Sequence, residues 1–88
     1  MFSSTTHTSN TVQDWLVERV ADYLGRSPHQ VDPATPLAEL GMDSVSAVSL
    51  CGEIEDRWSL EIDPTLVFDY PTVAAIATYL ADEFVLAA

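Results

Sequence analysis

Apolar residues recur along this chain at steps of three and four, which is the spacing of one face of a helix. Val12, Trp15, Leu16, Val20, Tyr23 and Leu24 form the first such series and predict a helix over about residues 11–24. Asn10 with Gln13 fits a capping box at its start, and Gly25 fits a stop at its end. A second series, Ala47, Leu50, Cys51, Ile54 and Trp58, falls on one stripe of a helix expected over about residues 44–58. Val45, Val48, Gly52, Glu55 and Asp56 lie to a different side, and two of them are valines that the core stripe does not need. Asp63 and Pro64 predict a short helical turn through Phe68, with Pro64 at the first helical position. Thr72 then caps a last helix to about Phe84, whose face is Val73, Ile76, Ala77, Leu80 and Phe84. Between the first two long helices, Pro28, Pro33 and Pro36 deny residues 26–43 a continuous helix. Val31, Leu37 and Leu40 can pin that long loop to the core. Alternating strand patterns are absent. The expected fold is all-α: a small four-helix bundle of three main helices and one short one, with a long first loop. Residues 1–10, rich in Ser and Thr, read as a flexible tail, and residues 11–88 as one domain.

Composition narrows the function. Fourteen acids stand against three arginines and no lysine, a net charge of -11. Phosphate repels such a surface, so nucleic acid is not an expected partner, whereas basic protein surfaces are. Cys51 is the only cysteine and falls on the core stripe, which reads as a buried, inert thiol in a reducing, cytoplasmic setting. No run is long enough for a membrane span, and the N-terminus lacks the pattern of a signal peptide. The acids around Asp32 and Asp43 lack the spacing of a calcium loop, so no metal site is expected. Trp15 and Trp58 read as core anchors.

The chemistry centres on GMDS, residues 41–44. At a helix start Asp43 or Ser44 can be a simple cap. A nucleophilic serine needs a base, and the only histidines are His7 in the tail and His29 in the loop; the G-x-S-x-G setting is also missing. A third role is covalent modification, because the positive end of a helix favours an anion such as a phosphodiester. An unmodified acidic interaction module is the alternative from another class.

The stretch LGMDSVSAVSL, residues 40–50, resembles the phosphopantetheine attachment motif of acyl carrier proteins. Residues 60–80, LEIDPTLVFDYPTVAAIATYL, resemble the third and fourth helices of polyketide-synthase carrier domains, with FDYPT typical of them. The resemblance spans about residues 11–84. It implies that Ser44 carries a 4′-phosphopantetheine arm donated by coenzyme A, with Asp43 as its motif partner. It further implies that Met42, Val45, Val48, Gly52, Glu55 and Asp56 face partner enzymes. Those partners would be a phosphopantetheinyl transferase and an acyltransferase, ligase or ketosynthase with basic docking surfaces. The protein, a monomer, would catalyse nothing itself and would hold acyl or amino-acyl groups as thioesters. Because the chain opens on Met1, a discrete carrier is expected rather than an excised domain. A peptidyl carrier of a nonribosomal pathway is the nearest alternative. Ser46 and Ser49 replace residues often acidic in fatty-acid carriers, Gly52 replaces a larger side chain, and Ser59 stands where many relatives have glycine.

Overall fold

The computed structural model describes residues 9–87. Among the described residues five α-helices follow one another: α1 (Ser9–Leu24), α2 (Leu37–Leu40), α3 (Ser44–Trp58), α4 (Leu66–Asp69) and α5 (Val73–Ala87). A 3₁₀ turn, Pro28–Gln30, lies between α1 and α2, and there is no strand among the described residues. The all-α bundle expected from the apolar spacing is therefore present, with one addition: the long loop holds the short helix α2.

The three apolar stripes meet in one core. Val12, Leu16 and Val20 of α1, Leu50 and Ile54 of α3, and Val73, Ile76, Ala77 and Leu80 of α5 are fully buried. α1 packs chiefly against α5. At one edge of the core Trp15 and Trp58 meet edge-to-face, with ring centroids 4.8 Å apart, and Phe84 lies 5.6 Å from Trp58. Cys51 is buried, and burial, together with the charges of Glu55 and Asp63, pushes its thiol up. It is a core residue, as its place on the stripe implies.

A polar clip joins α1 to α3. The Tyr23 hydroxyl donates to Glu53, and Arg19 pairs with both Asp22 and Glu53, the latter at 3.2 Å. Burial and the neighbouring Glu53 carboxylate push the Tyr23 phenol up to about 12. The long loop is also fixed. Val31, Leu37 and Leu40 are buried, and two backbone bonds sew the loop to the α4–α5 junction: Leu37 N–H to the Pro71 carbonyl (2.8 Å) and Ala74 N–H to the Pro33 carbonyl (3.0 Å).

Three local expectations need correction. Asn10 lies inside α1, which is already helical at Ser9, so the Asn10–Gln13 box does not begin the helix. Of the tail expected over residues 1–10, Ser9 and Asn10 are thus helical, and residues 1–8 lie outside the described residues. Pro64 does not open α4, which starts two residues later at Leu66. The Asp63 carboxylate accepts from the backbone N–H and the hydroxyl of Thr65 (2.9 and 2.8 Å), and that local turn competes with the helix.

α3 ends at Ser59 in the left-handed region, φ 55° and ψ 45°. A side chain there is strained, while glycine is not. Ser59→Gly is expected to stabilise the domain by up to ~1 kcal/mol. The check is a higher urea midpoint with an unchanged slope.

Candidate functional site

The site is built where the loop becomes α3. Gly41 ends α2 with φ 109°, a conformation that favours glycine and turns the chain out of one helix toward the next. Asp43 then sits in extended geometry as the cap of α3, its Oδ1 accepting from the Ser46 N–H at 2.7 Å. That bond, with a further one from Ser46, holds the Asp43 carboxyl below the usual carboxylate range. Capping is therefore the work of Asp43. Ser44 is the first residue of the helix, exposed, at the positive end of fifteen helical residues.

Beside Ser44 opens a groove of about 410 Å³. Pro36, Leu37 and Ala38 wall it on the α2 side, Met42 and Ala47 on the α3 side, and Val67, Phe68 and Pro71 on the α4 side. Asp43 and Ser44 complete the lining. Among the described residues no histidine lines it. His29 lies in the 3₁₀ turn, where its Nδ1 is 3.1 Å from the Ser27 hydroxyl, and His7 lies outside the described residues. No cluster of metal ligands occurs among the described residues.

The remaining candidate residues divide. Val45 and Val48 stand out to solvent, 75% and 55% exposed, and continue along α3 through half-buried Gly52 to exposed Asp56. A β-carbon added to Gly52 would meet open space. Glu55 is half-buried beside this strip, and its Oε2 accepts from the Ile62 N–H at 2.9 Å, so its carboxylate ties down the segment after α3. Met42 corrects the expectation that it faces partners: it is only 9% exposed and belongs to the core. The reason is its position just before the cap. A residue there packs against the fourth residue of the helix, here buried Ala47, as a hydrophobic staple.

Phe68 is the residue that sequence reasoning missed. It is 71% exposed while Leu66 and Val67 beside it are buried, and it borders the same groove as Ser44. In a helix of four residues no periodicity separates the outward position from the inward ones.

An exposed serine on a capped helix start, beside an apolar strip and groove, suits a carrier of a tethered group. Comparison with known proteins agrees. Residues 14–80 match the family described as phosphopantetheine attachment site, and the chain belongs to that family, whose members bind 4′-phosphopantetheine covalently. It is homologous to carrier domains of polyketide synthases. It is 39% identical over 71 residues to mycoketide-CoA synthase of Mycobacterium tuberculosis, covering 80% of this chain. The chain spans only 2% of that relative's length. Among solved structures, a free-standing peptidyl carrier protein from Acinetobacter baumannii superposes with a TM-score of 0.86 at 35% identity, covering 89% of this chain and 98% of that one. The acyl carrier protein LipD from Actinoplanes friuliensis gives 0.75 at 36% identity, covering 96% and 97%. No described helix is long and apolar enough to cross a membrane.

Proposed function

We propose that this protein is a discrete acyl carrier of a polyketide pathway, loaded through Ser44. One observation carries the reading: Ser44 is exposed at the start of α3 within the matched family region, while the neighbouring Asp43 does the capping. The residues fit the group. The positive end of α3 suits a phosphodiester on Ser44, and Asp43 and Ser46 hold that helix start in place. In loading, the Ser44 hydroxyl oxygen attacks the arm-side phosphorus of coenzyme A. A phosphorus–oxygen bond forms, the pyrophosphate bond breaks, and adenosine 3′,5′-bisphosphate leaves. The hydroxyl proton passes to a base of the phosphopantetheinyl transferase. Once attached, the arm supplies a terminal thiol that carries acyl or amino-acyl groups as thioesters. Everything else asked of this chain is presentation.

Presentation falls to the strip Val45, Val48, Gly52 and Asp56, which would meet an acyltransferase, ligase or ketosynthase. The acidic surface favours a basic rim on those enzymes. The free-standing reading draws on the Acinetobacter carrier, itself described as free-standing. That same relative, a peptidyl carrier, supports a second reading as a peptidyl carrier of a nonribosomal pathway; transfer of a loaded aminoacyl group to a peptide-bond-forming enzyme, and none to a ketosynthase, would select it.

The charge and the apolar contact are expected to separate in a salt series. Asp56→Arg tests the charge, since Glu55 is tied to Ile62. Asp56→Arg should slow transfer with a cognate enzyme severalfold at low salt. The defect should fade as the Debye length falls from ~10 Å at 0.1 M toward ~3 Å at 1 M. Val48→Asp should lower transfer by roughly tenfold at every salt concentration, the size of a lost interface contact above 1 kcal/mol. Wild-type kinetics from both variants, with helical content intact, would remove the strip from the docking surface.

A further inference from the structure

α3 departs from good helix chemistry twice on one face. Gly52 is a glycine inside a long helix, which lowers a folding equilibrium about fivefold against alanine. Neither usual reason for a glycine holds there. Its φ is not in the left-handed region, which only Gly25 and Gly41 occupy among the described glycines. A β-carbon at Gly52 would touch nothing within 4 Å, so no neighbour in the fold needs the room. Four residues on, Asp56 puts a negative charge in the last turn of α3, where the helix dipole favours a cation. Positions that break local rules without structural compensation are where function is expected. We propose that Gly52 is a specificity-determining gap in the docking strip, held open for one long basic side chain of the acyl-exchanging partner, whose head pairs with Asp56. The proposal rests on the carrier reading and adds what selects the partner.

Of the acids on α3, only Asp56 is free to take such a head. The helix holds three, Glu53, Glu55 and Asp56. Glu53 is occupied by Tyr23 and Arg19, and Glu55 by the Ile62 N–H. Asp56 is exposed, and its carboxylate has no hydrogen-bond or ion-pair partner among the described residues. The adjacent Arg57 turns to the Trp58 ring, 5.2 Å from its centroid.

Shape agrees with charge. Side chains on a helix lean toward its N-terminus. Val48 therefore leans away from position 52 and Asp56 leans over it, each about 6 Å along the axis. The floor between them is bare backbone, and Val48, 55% exposed, walls the far side. Lysine and arginine join an apolar stem to a charged head. Laid along α3, the stem covers the bare turn beside Val48 and the head reaches Asp56. An apolar side chain in the gap would leave Asp56 unmatched, and an acidic one would be repelled by a chain of net charge -11. A long side chain at position 52 would stand where the stem lies, so the gap separates carriers by shape as well as by charge.

The experiment uses wild type, Gly52→Ala, Gly52→Leu, Asp56→Asn and the Gly52→Leu/Asp56→Asn double variant. Each is loaded from acetyl-coenzyme A with a promiscuous phosphopantetheinyl transferase and confirmed by intact mass. Acyl transfer is then measured to a ketosynthase chosen because it accepts the group from the wild-type chain. Gly52→Ala should raise the urea midpoint, as a glycine without a structural task implies, yet lower kcat/KM for transfer severalfold. Gly52→Leu, at least as stable as wild type, should lower it tenfold or more, through KM with kcat kept. Asp56→Asn should lower transfer severalfold on its own and less than twofold beside Gly52→Leu, because one partner side chain uses both positions. A Gly52→Ala chain less stable than wild type would overturn the proposal, since the glycine would then serve the fold. Wild-type transfer from Gly52→Leu would overturn it as well. So would defects of Gly52→Leu and Asp56→Asn that simply multiply, which would put an apolar group in the gap instead. A wild-type chain that gained no arm would remove the carrier reading and the gap's task with it, and intact mass reports that before any transfer is measured.

Discussion

Ser44→Ala is expected to stay at its unmodified mass after incubation with coenzyme A and a promiscuous phosphopantetheinyl transferase, while the wild-type chain gains the mass of one arm. The loss should be complete, because the reaction needs the Ser44 oxygen and a neighbouring serine cannot substitute. Ser46 sits within the first turn, with its backbone N–H held by Asp43, and Ser49 lies a full turn and more away. The same variant should fold normally. Asp43, not Ser44, caps α3, and an exposed substitution away from a cap typically costs within ~0.5 kcal/mol. Loss of modification with unchanged circular dichroism therefore separates attachment from structure. Full modification of the alanine variant would show that the arm goes elsewhere.

Leu80→Ala should have the largest effect on stability. Leu80 is fully buried at mid-helix in α5, and emptying such a site costs roughly 2–5 kcal/mol. Domains of this kind are stable by only about 5–15 kcal/mol, so the variant loses a large share of its total. The expected readout is a melting temperature lowered by roughly 10 °C or more. Asp82→Ala, exposed on the same helix, should change it little. An unchanged melting temperature for Leu80→Ala would mean that α5 does not hold the core together. Ile54, buried to the same degree on α3, offers the same test from the other side.

The long helices were legible because each carries enough turns for a stripe to show. α3 runs from Ser44 to Trp58, as its spacing and its acidic cap imply, and the faces of α1 and α5 are the buried ones. Shorter elements were not legible, for physical reasons. α2 holds four residues just behind Pro36, too few for periodicity, and the prolines that forbid a long helix say nothing about a single turn. At α4 the Asp63 side chain competes for Thr65, which a helix-start pattern with proline does not reveal. The attachment proposed at Ser44 draws on the resemblance, since an Asp-Ser pair alone reads first as a cap. Met42 was placed outward by resemblance alone, which carries a position over without its packing, and here the residue just before the cap is buried. Phe68 went unseen for the complementary reason, that its exposure depends on how a one-turn helix sits against its neighbours.

The pairing of α1 with α5 has a consequence for synthesis of the chain. The first long helix made is the one whose main partner is made last. While the ribosome extends the intervening residues, Val12, Leu16 and Val20 have no α5 to cover them. Contacts of such long sequence separation close late and at an entropic cost. Domains fold as units once their full length is available, so the bundle should close only after α5 clears the exit tunnel. Until then a nascent α1 is open to chaperones, and a chain truncated before Val73 should be cleared by proteases rather than accumulate as a partial carrier.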